Sequence, residues 1–172
     1  MLRAILLFTL LPVAALAVGA GDSKPPSKPK CEMGKVWDPS TQKCLNAYRP
    51  ELDDAMRYVA VREYAYDGQF DAALIVLDAM QDQRTDGVLT YRGFIARGQG
   101  DMARAKTWYD AALVANPDNL LARSYMGQGL VVQGDLVGAL AQHREIMARG
   151  GEGTWAADAL ADAIRTGTPY AY

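Results

Sequence analysis

The chain has 172 residues, half of them hydrophobic and 22% charged, with a formal net charge of −2. That is enough apolar material for one packed domain, and too little positive charge to neutralise a phosphate backbone, so nucleic acid is not an expected partner. Alanine dominates from Asp54 onward and only three Phe occur, a balance that favours helix over strand because alanine gives up no side-chain entropy in a helix.

The first expected element is a targeting segment. Arg3 supplies a positive start, and residues 4–18 follow without a charge. Small residues come next at Ala15, Ala17, Gly19 and Ala20. This order reads as a secretory signal peptide over 1–20, cut after Ala17 or Ala20. The alternative, a membrane anchor, needs about 20 apolar residues, and this run is shorter and broken by Pro12. The mature chain is expected to be periplasmic or secreted, with no transmembrane segment.

Residues 21–30, G-D-S-K-P-P-S-K-P-K, hold no apolar side chain that could join a core and read as an extended linker. Cys31 and Cys44 are the only two cysteines. An even pair beyond a signal peptide argues for a disulfide closing the loop 31–44. Zinc would need two further ligands, and there is no nearby His. Within the loop, Gly34 and the Asp38-Pro39-Ser40 stretch supply turn chemistry, and Lys35-Val36-Trp37 can form one short strand. Trp37 either covers the disulfide, docks on the helical body, or stacks on a ligand.

From Pro50 the pattern is helical. Three segments align with one another: Y-A-Y-D-G-Q-F-D-A-A (64–73), A-R-G-Q-G-D-M-A-R-A (96–105) and L-V-V-Q-G-D-L-V-G-A (130–139). Gly68, Gly100 and Gly134 coincide, as do Gln69, Asp101 and Asp135, and the alanines Ala73, Ala105 and Ala139. A glycine at the end of one helix, a cap at the start of the next and a small residue where the two cross describe a helical hairpin. Gly93 and Gly127 echo one another in the second and third units and permit close approach of a partner helix.

The pattern resembles the tetratricopeptide repeat. The second unit carries it best, with Leu89, Gly93, Ala96, Ala105, Tyr109, Ala112 and Pro117 on the family's large and small positions, and with Asn116-Pro117-Asp118-Asn119 as the inter-repeat turn. Arg92 departs from the pattern, and the first and third units lack the closing proline. The resemblance implies an all-α fold: a right-handed stack of three hairpins over 50–166, with repeats near 54–85, 86–119 and 120–153. A capping helix at 155–165 would complete seven helices, because a stacked array otherwise exposes its last core face. The tail 167–172 is expected to be loose, with Tyr170 and Tyr172 able to dock.

No catalytic constellation is expected. His143 has only Glu145 nearby and no second His or Cys in the helical region, so neither general-base nor metal chemistry finds partners. No cofactor and no enzymatic activity are expected. The resemblance implies instead a non-catalytic scaffold that binds a protein or peptide along a concave groove. Carried over by position, the groove is Tyr58, Arg62 and Tyr66, then Thr90, Tyr91, Phe94 and Arg97, then Ser124, Tyr125 and Gln128. Tyr and Arg are enriched in binding hot spots, although these rings can also pack between hairpins. The paired Lys and Asn residues with which some members grip a C-terminal carboxylate are absent. A second reading is a wall- or glycan-binding protein that uses Trp37, with the repeats as a spacer or self-association unit.

Overall fold

The computed structural model describes residues 30–171. The expected signal peptide and most of the linker lie outside the described residues. Two strands and seven helices follow in order: β1 (Lys35–Asp38), β2 (Lys43–Asn46), α1 (Asp54–Tyr66), α2 (Phe70–Asp78), α3 (Asp86–Gly98), α4 (Met102–Ala115), α5 (Leu120–Val132), α6 (Leu136–Ala148) and α7 (Trp155–Thr166). The described residues are thus mostly helical, with one small sheet.

The sheet corrects the expectation of a single strand. β1 and β2 pair antiparallel, Val36 opposite Leu45 and Trp37 opposite Cys44, and β2 runs on past Cys44. The turn between them is held by Asp38, whose carboxylate accepts from the Ser40 main chain at 2.9 Å and from the Ser40 and Thr41 hydroxyls at 2.7 and 2.6 Å. These hydrogen bonds hold the Asp38 carboxyl below its usual range. The carboxylate has little open surface, but it lies just under the skin of a small hairpin, so desolvation is minor beside the hydrogen bonds. Cys31 and Cys44 form the expected disulfide.

The hairpin does not stand apart from the helices. Val36 is buried with the helical core, the Tyr64 hydroxyl donates to the Lys35 carbonyl at 2.8 Å, and Gly34 lies against Ile75 of α2. Arg57 fastens the connecting segment. Its guanidinium donates to the carbonyls of Ala47 and Arg49 at 2.9 and 3.0 Å and pairs with Asp54 at 2.9 Å. A buried charge is tolerable when each face of it is met in this way.

Turn and cap residues set the helix ends. Gly68, Gly100 and Gly134 follow α1, α3 and α5 at φ of 72°, 85° and 80°, a conformation that costs glycine nothing. Asp101 and Asp135 accept from Arg104 N–H at 3.0 Å and Gly138 N–H at 2.8 Å, capping α4 and α6. Gln69 makes no such bond at the start of α2. The Asn116–Asn119 turn is tied back to α3. Both Asn side chains donate to Asp86, at 2.7 and 2.8 Å, while Asn119 also caps α5 through Ala122 N–H.

Packing follows one rule. Each pair α1–α2, α3–α4 and α5–α6 forms a hairpin-like unit. Each odd helix packs on the next odd helix, and each even helix packs on the odd helix that follows it. Beyond this rule, α2 lies against β1, and the Tyr66 hydroxyl of α1 reaches Tyr125 of α5. Ala73, Ala105 and Ala139 are buried where the units close. Gly93 of α3 admits the Tyr109 ring of α4, and Gly127 of α5 admits Leu160 of α7. Helix α7 buries Ala156, Ala157, Ala159, Leu160 and Ala163 against α5 and α6.

Candidate functional site

Side-by-side packing of α1, α3, α5 and α7 brings their aromatic residues into one row. Tyr58 meets Tyr91 edge-on at 5.4 Å between ring centroids. Tyr66 meets Phe94 at 5.7 Å, Phe94 meets Tyr125 at 4.9 Å, and Tyr91 meets Tyr125 at 6.3 Å. Trp155 extends the row from Tyr125 at 5.9 Å, and Tyr170 from Trp155 at 5.3 Å. Edge-to-face geometry aims the positive rim of one ring at the negative face of the next.

Three hydroxyls converge within the row. Tyr66 shares hydrogen bonds with Tyr91 at 2.6 Å and with Tyr125 at 2.9 Å, so helices α1, α3 and α5 meet at one oxygen. Burial, opposed in part by Arg62, pushes the Tyr58 hydroxyl up to about 12. Burial and the Tyr66 hydrogen bond raise Tyr91 as well. The Tyr58 and Tyr91 hydroxyls therefore stay protonated at neutral pH.

Two cations lie over the rings. Arg62 sits 6.0 Å from the Tyr66 centroid. Burial opposes its charge, but the Tyr91 and Tyr66 oxygens outweigh that and raise its pKa. Arg97 lies 5.3 Å from Phe94 and 5.8 Å from Tyr125. Its Nε is buried without a hydrogen-bond partner, so the guanidinium is held by ring faces on that side. Nearby, a cavity of about 120 Å³ is bounded by Arg97, Tyr109, Met126, Gly129 and Gln133.

The ten expected groove residues separate into two layers. Arg62 is exposed, and Tyr58, Tyr66 and Arg97 are half-buried. Thr90, Tyr91, Phe94, Ser124, Tyr125 and Gln128 are buried. The expected exposure is corrected for these six in this arrangement, in which each odd helix packs over its neighbour and the Tyr170 main chain meets Gln128. Thr90 spends its hydroxyl on the Asp86 carbonyl at 2.6 Å, and Gln128 donates to Ser124 at 3.3 Å. Trp155 was not among the expected residues. Its place on the apolar side of α7 reads as core, yet it is 39% exposed beside the row.

Trp37 is half-buried and borders a shallow depression of about 170 Å³ with Pro39, Met56, Val59, Ala60 and Glu63. His143 is half-buried on α6. No group of three His, Cys, Asp or Glu among the described residues is placed to hold a metal ion. No described helix is long and apolar enough to cross a membrane. No family model, curated protein or solved structure matches this chain.

Proposed function

We propose that this chain is a tetratricopeptide-type scaffold of the periplasm or extracellular space, which holds an extended segment of a partner protein along the row formed by α1, α3 and α5. The observation that carries the reading is the continuous aromatic row overlaid by Arg62 and Arg97. Helix packing that runs mainly between successive units supports it, since stacked repeats pack chiefly on their neighbours. The disulfide supports an oxidising compartment. Half-buried rings offer apolar area, and a planar guanidinium pairs a carboxylate in a fork, so the fitting segment carries apolar and acidic side chains.

Arg62 is the clean test, because it is exposed while Arg97 is built into the ring packing. Arg62→Ala is expected to change folding stability by no more than about 1 kcal/mol. Affinity for a partner recovered by cross-linking in the native envelope fraction should fall by about 2–5 kcal/mol, the usual loss for a desolvated charge-assisted contact. A binding titration beside a circular dichroism melt measures both. Unchanged affinity with an unchanged melt removes this surface from the binding role. The glycan reading is carried by Trp37 and its depression: Trp37→Ala should abolish glycan capture if that reading holds, and leave protein capture intact if the scaffold reading does.

A further inference from the structure

The last residues of the chain turn back onto the aromatic row. Helix α7 ends at Thr166, and Gly167 at φ 73° reverses the direction of the backbone. Thr168 N–H donates to the Thr166 hydroxyl at 3.3 Å. Pro169 bars further helix. Tyr170 then donates its main-chain N–H to Oε1 of Gln128 at 3.2 Å, and its ring stands edge-on to Trp155, 5.3 Å away at 83°.

Gln128 explains why this contact matters. It has no exposed surface, and its amide nitrogen is engaged by Ser124. A buried carbonyl oxygen needs a donor, and here the donor is an N–H that every extended peptide possesses. Trp155 adds selection for a ring. Tyr170 is still 45% exposed, so the tail lies on the surface rather than in the core.

We propose that Gln128 and Trp155 form a peptide subsite for an extended segment carrying a tyrosine, and that residues 168–171 of this chain are its resident, displaceable occupant. This deepens the scaffold reading and rests on it, because a partner running along the row must take the subsite from the tail. A tethered tail presents itself at roughly millimolar effective concentration, so a free segment meets the subsite mostly filled, and its apparent affinity falls by the unfilled fraction.

The probe is the peptide T-G-T-P-Y-A-Y, residues 166–172, labelled and added to the full chain. Replacing Tyr170 by alanine in the protein should raise the affinity for the wild-type peptide by about tenfold or more, as expected where the unaltered tail fills nine sites in ten. A peptide with alanine in place of its first tyrosine should lose that binding. A second measurement needs no variant. The Tyr170 amide of the unaltered chain should be protected from hydrogen exchange at every protein concentration and should lose protection when peptide is added in excess. Equal peptide affinity for both proteins, an unprotected Tyr170 amide, or protection that appears only in a dimer overturns the proposal. The two readings fail separately. Peptide exchange without any effect of Arg62 on a protein partner sinks the scaffold and spares the subsite, and the reverse result sinks the subsite alone.

Discussion

Glycines inside helices divide by what faces them. A Cβ on Gly93 would lie 2.6 Å from the Tyr109 ring, which is buried and has nowhere to go. Gly93→Ala should therefore cost about 1–3 kcal/mol by overpacking, despite the better helix propensity of alanine. A Cβ on Gly129 would meet only the Arg97 side chain, at 3.4 Å. Gly129→Ala should be neutral or stabilising by up to about 1 kcal/mol, through a less flexible unfolded chain. Denaturant melts of the two variants check the contrast. Equal effects would mean that the close α3–α4 approach is not set at Gly93.

The β-hairpin is the element whose stability depends on a covalent link. Its strands are four residues each, too short to persist alone, and the Cys31–Cys44 disulfide closes a separation of 13 residues. Loop-entropy arguments assign such a closure about 3 kcal/mol. The hairpin is also seated on α1 and α2 through Val36, Tyr64 and Gly34, so its loss should reach the first helical pair. Because backbone contacts run mainly between neighbouring elements, the effect should fade toward α7. Hydrogen exchange on the Cys31→Ser, Cys44→Ser double variant should rise over residues 35–46 and the Tyr64 end of α1, with little change in α5 to α7. A uniform rise along the chain would contradict this graded picture.

At the scale of the molecule, the tyrosine hydroxyls bind the row together and set its limit in alkali. Tyr58 is raised from 10.0 to about 12 and Tyr91 is raised as well, so the fold favours the protonated hydroxyls. That stability is fully present below pH 10 and is lost as pH climbs from 10 through about 12. Ionisation of Tyr58 and Tyr91 should coincide with loss of helix, because the Tyr91 oxygen is part of the cluster through which three helices are joined. Tyrosinate absorbance followed beside circular dichroism tests it. Complete ionisation near pH 10 with intact helicity would show that the row is open to solvent.

Local chemistry was readable along the chain. The helical class, the paired cysteines and the turn glycines Gly68, Gly100 and Gly134 follow from forces acting over a few residues, as do the caps Asp101 and Asp135: backbone strain, an orphan N–H, a thiol with one possible mate. The second strand was not readable. Residues 43–46, K-C-L-N, have weak strand propensity, and β1 and the disulfide enforce their pairing. Burial within the aromatic row was not readable either. A helical repeat places Tyr58, Tyr91 and Tyr125 on related positions, but whether a ring faces solvent or its neighbour depends on how closely adjacent helices approach. Tyr170 meets Gln128 across 42 residues of chain, a contact that no local pattern encodes. It exists because α7 packs on α5 and delivers the tail to a buried amide that needs a donor.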